Sequence, residues 1–272
     1  MKREKTDYAI QAVSHALDLL EQFSDEISEL GVAELSKRLH HQKDYTARLL
    51  ATLEGRDYLD KSRVSQNYRL GLKTLELSQT FVRHGGLLSR ARPVLEELTK
   101  SCGETSLLAV LKQNFIVYLH AAESSQAVRI APKVGSWLPA HSSAAGKVQL
   151  AHLPESSWLD ALSGGTLQRF TSNTITDPVQ FELHLKQISL RGYALDLEEM
   201  DADVRCVAAP VRDHNGLVAG AISISGPAWR FSGERLEREL IPLSCQAAAQ
   251  ISTRLGYHER FAAGRAGLNP SV

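Results

Sequence analysis

The spacing of apolar residues over the first seventy positions constrains the fold of this 272-residue chain more than any other feature. Ile10, Val13, Leu17 and Leu20 recur at i, i+3, i+7 and i+10, one stripe of an amphipathic helix. Asp25 to Gly31 is polar and turn-rich, and Val32, Leu35 and Leu39 mark a second short helix that starts at Gly31. After His40-His41-Gln42 a third helix carries Leu49, Leu50 and Leu53 inward and ends near Gly55. Tyr58-Leu59-Asp60 and Asn67-Tyr68-Arg69-Leu70 read as short strands, joined by Lys61-Ser62-Arg63-Val64-Ser65-Gln66, which is too polar for a core.

Three short helices followed by a β-hairpin is the order of a winged helix-turn-helix, in which the third helix enters the major groove and the wing follows the backbone. Charge is distributed to suit. Residues 1–34 hold three Lys/Arg against eight Asp/Glu, whereas residues 35–70 hold eight against four, although the formal net charge of the chain is zero. Lys43, Ala47 and Arg48 fall on the side of the third helix away from the leucines, and Arg63 at the wing tip suits a phosphate. By pattern alone a three-helix cap with a solvated basic face fits equally well.

Beyond residue 70 the periodicity changes. Gly71 to about His84, with Leu72, Leu75 and Leu77, reads as a linker helix broken at Gly85-Gly86, and Ser89–Ser101 as a helix burying Val94, Leu95 and Leu98. Strand-like runs follow at Ser106–Leu111, Phe115–His120, Ala127–Pro132, Gly192–Leu197, Val204–Val211 and Leu217–Ser225, the last two joined by Asp213-His214-Asn215-Gly216. Asp177–Leu190 and Glu234–Leu255 are helical by period, with Pro242 expected to kink or restart the second. Strands in the middle with helices at both ends give an α+β fold. In Ala221-Ile222-Ser223-Ile224-Ser225, alternation puts the isoleucines on one face and the serines on the other, which fits either a sheet with one wet face or a ligand contact.

Several sequence blocks resemble the IclR family of transcriptional regulators. Ala33-Glu34-Leu35-Ser36, Arg48-Leu49-Leu50-Ala51-Thr52-Leu53-Glu54 and Tyr68-Arg69-Leu70-Gly71 resemble its DNA-binding module. Val134 to Lys147 (Val-Gly-Ser-Trp-Leu-Pro-Ala-His-Ser-Ser-Ala-Ala-Gly-Lys), Gly192 to Glu199 with Cys206 to Val211, and Ile222 to Pro227 resemble its three later blocks. The match runs over about residues 8–257. It implies a winged helix-turn-helix at 8–70, a linker helix at 71–85, a GAF-like antiparallel-sheet effector domain at 86–257 and a disordered tail at 258–272. It also implies a regulator, with repressor preferred over activator, whose operator binding responds to a small carboxylate or aromatic acid. The partners expected are a double-stranded DNA operator, the effector, and further copies of the chain as a homodimer or dimer of dimers.

The DNA-contacting set expected on this basis is Gln42, Lys43, Tyr45, Thr46, Arg48 and Arg63. The resemblance carries the effector-binding set to Gly135, Leu138, His141, Ala145, Gly146, Asp196, Cys206, Ser223 and Ser225. Two departures stand out. His40-His41 and Asp44-Tyr45 replace the family's Gly-Leu pair and small hydroxyl residues, so a histidine must either tolerate a positive φ or change the turn. Asp203 replaces a glycine before Cys206.

Other classes find less support in the residues. No apolar run reaches the roughly 18 residues of a membrane span, and the N-terminus lacks an apolar signal core, so a cytoplasmic location is expected. Cys102, Cys206 and Cys245 lack paired spacing, and no cofactor or metal is called for. An enzyme would need Cys206, His141 and Asp196 as nucleophile, base and orienter. Against this, there is no Gly-x-Ser-x-Gly elbow, and Gly146-Lys147 lacks the other residues of a phosphate-binding loop. A dimeric sensor whose N-terminal module binds protein instead of DNA is the third reading.

Overall fold

The computed structural model describes residues 10–24, 27–84, 86–155, 158 and 167–258. The tail expected from 258 onward lies outside this set apart from His258, as do Gly85 and the first two residues of the expected DNA-binding domain. The chain divides into two compact units, Met1–His84 and Gly85–Val272.

In the first unit, α1 (Gln11–Leu20), α2 (Val32–Arg38) and α3 (Lys43–Glu54) precede the hairpin β1 (Leu59–Lys61) and β2 (Tyr68–Leu70). Leu19, Leu30, Leu35, Leu49, Leu50, Leu53, Leu59 and Tyr68 form its core. The hairpin is antiparallel, with Leu59 opposite Leu70. Leu30 adds a third rung by exchanging backbone hydrogen bonds of 2.9 Å with Tyr68 in both directions. Gly71 has a steric reason to be glycine, because a Cβ there would lie 2.3 Å from the Asp57 carbonyl oxygen. The segment after it is α4 (Leu72–His84).

One expectation is corrected here. The stripe Ile10, Val13 and Leu17 faces solvent, at 69%, 54% and 54% exposure, and α1 reaches the core through Leu19 instead. Leu72, Leu75 and Leu77 of α4 are exposed as well. Periodicity states which residues share a face, and only packing states whether that face is covered.

The second unit is a six-stranded antiparallel sheet of order β5-β4-β3-β8-β7-β6. Its strands are β3 (Thr105–Lys112), β4 (Phe115–Ala122), β5 (Trp137–Pro139), β6 (Ala194–Leu197), β7 (Val204–Arg212) and β8 (Val218–Pro227). One face packs on α5 (Gly86–Cys102) and the C-terminal helix through Leu95, Leu98, Val207, Ile222, Ile224, Ala248 and Ile251. The other lies under α6 (Ala144–Leu150) and α7 (Pro178–Arg191) and presents small residues, Ala109, Ala194, Ala208 and Ala221. Alanines there let α6 approach the sheet closely. Gly146 on α6 completes this fit, since a Cβ would fall 2.2 Å from the Ala140 carbonyl oxygen.

Local signals explain the ends of the helices. The Asp177 carboxylate accepts the Gln180 N–H at 2.8 Å to cap α7, Pro178 opens it, and Gly192 at φ +80° closes it. The C-terminal helical segment restarts at Pro242: a π-type turn, Leu236–Leu240, gives way to α8 (Ile241–Arg254) with the proline in its first turn. The strand expected at Ala127–Pro132 is not formed. The backbone there is held by side chains, with Arg230 donating to the Val128 carbonyl at 3.0 Å and Thr105 to that of Ile130 at 2.7 Å.

Candidate functional site

Antiparallel register assembles the most distinctive site in the second unit. Asp196 on β6 stands opposite Cys206 on β7, and Cys206 stands opposite Ser225 on β8. Ser223 lies two residues along β8, on the same side. These residues line a cavity of about 180 Å3 together with Tyr118, Ile130, Pro132, Ser136, Leu138, Ser143, Ala144, Ala145, Met200, Asp201 and Val204. The serine face of β8 is therefore not a wet face. Ser223 and Ser225 are nearly as buried as the alternating Ile222 and Ile224.

Of the nine expected effector residues, Leu138, Ala145, Asp196, Cys206, Ser223 and Ser225 are brought together. Gly135, Gly146 and His141 do not line the cavity. Gly135 instead shapes the turn beside it, at φ +88°, with its N–H donating to the Tyr118 carbonyl at 2.8 Å. Gly146 is needed for packing, as described above, and its N–H goes to the Ser143 hydroxyl at 3.1 Å. His141 Nε2 lies 2.9 Å from the Gln168 carbonyl oxygen, between the rings of Phe170 and Phe181. A Cys206–His141–Asp196 catalytic set is thus not assembled. Burial also pushes the Cys206 thiol far above its usual range, which removes the thiolate a nucleophile needs.

Asp196 has an unusual environment. It is almost fully buried, and burial pushes its carboxyl up to about 7 even though Lys147 and the Glu199 N–H (2.7 Å from Oδ1) favour the ionised form. Behind it, the fully buried Lys147 on α6 pairs with Glu199. The loop carrying Glu199 is held by Thr171, which donates to the Glu198 carbonyl at 2.6 Å, and by Thr174, which donates to that of Glu199 at 2.6 Å. Sequence reasoning missed Lys147 and Glu199 as part of this site. The available signal was a lysine inside the apolar run Ala144-Ala145-Gly146-Lys147-Val148, where a buried cation demands a partner. Tyr118, Ser136 and Ser143 were missed because nothing in the strand or loop pattern aims them inward. Asp203 sits at φ +62°, a left-handed conformation that glycine adopts more readily.

In the first unit Gln42 is the N-cap residue of α3, and Lys43 and Arg48 are exposed on that helix, with Arg48 5.9 Å from the Tyr45 ring centre. Arg63 is exposed in the hairpin loop. Tyr45 and Thr46 are placed differently from the expectation. Tyr45 is half-buried, its hydroxyl 3.1 Å from His15 Nδ1 and its ring edge-on to His41. Thr46 is fully buried and donates to the Gln42 carbonyl at 3.1 Å, so it turns away from any surface DNA could reach. His40 takes φ +54°, so the turn keeps a glycine-like backbone with a histidine in it.

A winged helix-turn-helix in one unit and a small polar cavity in the other define a ligand-responsive transcription regulator. Comparison with known proteins gives the family. The model "IclR helix-turn-helix domain" matches residues 12–63, and "Bacterial transcriptional regulator IclR C-terminal" matches residues 79–253. KdgR of Escherichia coli K12, an HTH-type transcriptional regulator, is 33% identical over 256 residues, covering 94% of this chain and 97% of that protein. The crystal structure of Thermotoga maritima IclR superposes with a TM-score of 0.76 at 28% identity, covering 92% of this chain and all of that one. An IclR homologue of Microbacterium hydrocarbonoxydans, solved with 4-hydroxybenzoate, has the same fold, with a TM-score of 0.79 at 24% identity over 90% of this chain and 98% of that one. The chain belongs to the IclR family of transcriptional regulators.

Proposed function

We propose that this regulator is a repressor that binds its operator as a homodimer or dimer of dimers, and that a small carboxylic or aromatic acid in the C-terminal cavity modulates that binding. The observation that carries the effector half is the enclosed row Asp196, Cys206 and Ser225 with Ser223 beside it, in a space of about 180 Å3. The serine hydroxyls each donate once and accept twice, enough to fix a small polar ligand. Ligand sites are commonly roughly 300–1,000 Å3, so the smaller volume here favours a small effector. The 4-hydroxybenzoate held by the Microbacterium relative is an acid of this kind. Repression is favoured by relatives named as repressors, among them the transcriptional repressor IclR of Escherichia coli K12.

The DNA half rests on the cations Lys43, Arg48 and Arg63, exposed on α3 and the hairpin loop, with Gln42 beside them at the start of α3. Tyr45 and Thr46 are left out of the reading set. The test is gel-shift titration of the purified chain against DNA flanking its own gene. A Lys43→Ala/Arg48→Ala variant is expected to lose specific binding, with about 1–3 kcal/mol attributable to Arg48 if it reads a base. Full-strength binding by that folded variant would remove α3 as the reading helix.

A further inference from the structure

The cavity presents an electrostatic obstacle to the acids it is proposed to hold. None of its described lining residues is Lys, Arg or His. Neutral polar groups come from Ser136, Ser143, Ser223 and Ser225, while the carboxyls are Asp196 and the exposed Asp201. The nearest buried cation, Lys147, is committed to Glu199, so that pair brings no net charge. An anionic ligand beside an ionised Asp196 would therefore set like charges together in a medium of low dielectric, where one of the two cannot stay ionised.

We propose that the cavity binds an organic acid together with one proton taken from solvent, shared between the ligand carboxylate and the Asp196 side chain. The regulator would then respond to acid and proton jointly. This inference rests on reading the cavity as the effector site, and it specifies the charge state of the bound ligand.

The groups that face Asp196 from each neighbouring element support this. Lys147 on α6 and the backbone N–H groups of Glu199 and Met200 favour its anion, whereas the Glu199 carboxylate disfavours it and the buried Cys206 thiol on β7 stays neutral. Tyr118 on β4, kept neutral by burial, lies in the same lining. Burial outweighs the favourable contributions and holds the carboxyl up to about 7, so the proton is bound readily near neutral pH. Above that range Asp196 ionises in the empty cavity, and each bound acid must bring a proton in. Affinity for an acid should then fall about tenfold per pH unit.

The experiment is calorimetric titration of the full chain with a panel of small aliphatic and aromatic monocarboxylic acids, 4-hydroxybenzoate and lactate among them, and with the corresponding amides. Each is run at pH 8 in phosphate and in Tris, whose ionisation heats differ, and again at pH 6 and pH 9. The result expected is uptake of close to one proton per acid bound, about tenfold weaker binding at pH 9, and neither effect with the neutral amides. Asp196→Asn keeps an acceptor for the Glu199 N–H and should bind acids with no proton uptake and no pH dependence. The wild-type buffer comparison carries the test even if that variant does not fold. Acid binding without proton uptake, or uptake that persists in Asp196→Asn, overturns the inference and leaves the effector reading standing. If no acid in the panel binds at any pH from 6 to 9, the acid-effector reading falls, and this inference with it.

Discussion

His40 holds a left-handed backbone at φ +54° in the turn between α2 and α3, and its side chain is exposed. For a residue with a Cβ that conformation costs about 1–2 kcal/mol, while a glycine loses about 0.5–1 kcal/mol more conformational entropy on folding. His40→Gly should therefore stabilise the first unit by about 0.5–1 kcal/mol, read from the urea midpoint at constant slope. A lower midpoint would mean that the imidazole makes contacts that outweigh its backbone. Residue chemistry also sets the expectation for the cavity. Ser223→Ala or Ser225→Ala should weaken a bound acid by about 1–3 kcal/mol, because a ligand group buried without its partner bears the full cost of desolvation. Calorimetry that gives wild-type affinity for both variants would place the ligand elsewhere.

Among the elements, α1 and α4 both turn apolar side chains toward solvent. The stripe Ile10, Val13 and Leu17 of α1 is exposed, as are Leu72, Leu75 and Leu77 on α4. In the proposed homodimer, whose paired modules would read paired half-sites, a second copy of the chain would cover such a stripe. Withdrawing each half-exposed branched side chain from water is worth about 1 kcal/mol. Val13→Glu/Leu17→Glu should leave the unit folded, since neither residue belongs to its core, and, with two side chains lost from each of two copies, should weaken self-association about a thousandfold. Light scattering over a concentration series reads this, and an unchanged oligomer would clear α1 of that role. The same element shows the limit of pattern reading. The period of α1 was legible, but the direction it faces was not, because periodicity names the residues that share a face and not the surface that packing covers. On β8 the alternation correctly separated the isoleucines from the serines, yet the serine face turned out dry because α6 lies over it. Ala127–Pro132 looked like a strand because its residues suit one, whereas two of its carbonyls are taken by Thr105 and Arg230, residues distant in sequence.

At the scale of the whole molecule, a half-buried histidine and a buried carboxyl in the second unit tie stability to pH in opposite directions. His184 on α7 is held neutral by burial, helped by the charges of Lys147 and Arg191, and titrates at about 4. Between its ordinary value of 6.5 and about 4 the unfolded chain binds a proton that the folded chain does not, so stability is lost as pH falls through that window. Asp196 titrates at about 7 in the folded chain, against an ordinary 3.8, so there the folded state binds the extra proton and stability is lost as pH rises. His184→Gln should therefore gain melting temperature relative to wild type only as pH drops below about 6.5, and Asp196→Asn as pH rises from about 3.8 to about 7, with no further gain above that. Melting curves that run parallel to wild type across pH 4–8 would contradict both assignments. The sequence by itself determined the three-helix and hairpin order of the first unit, with its basic third helix, because local periodicity is written in neighbouring residues, while its resemblance to the family carried Asp196, Cys206, Ser223 and Ser225 on β6, β7 and β8. Only the tertiary structure decided that Lys147 and Glu199 pair beneath Asp196, that His141 and Gly146 support the fold beside the cavity instead of lining it, and that Thr46 points into a core. Those outcomes depend on which distant surfaces close over one another, and on the dielectric that closure creates.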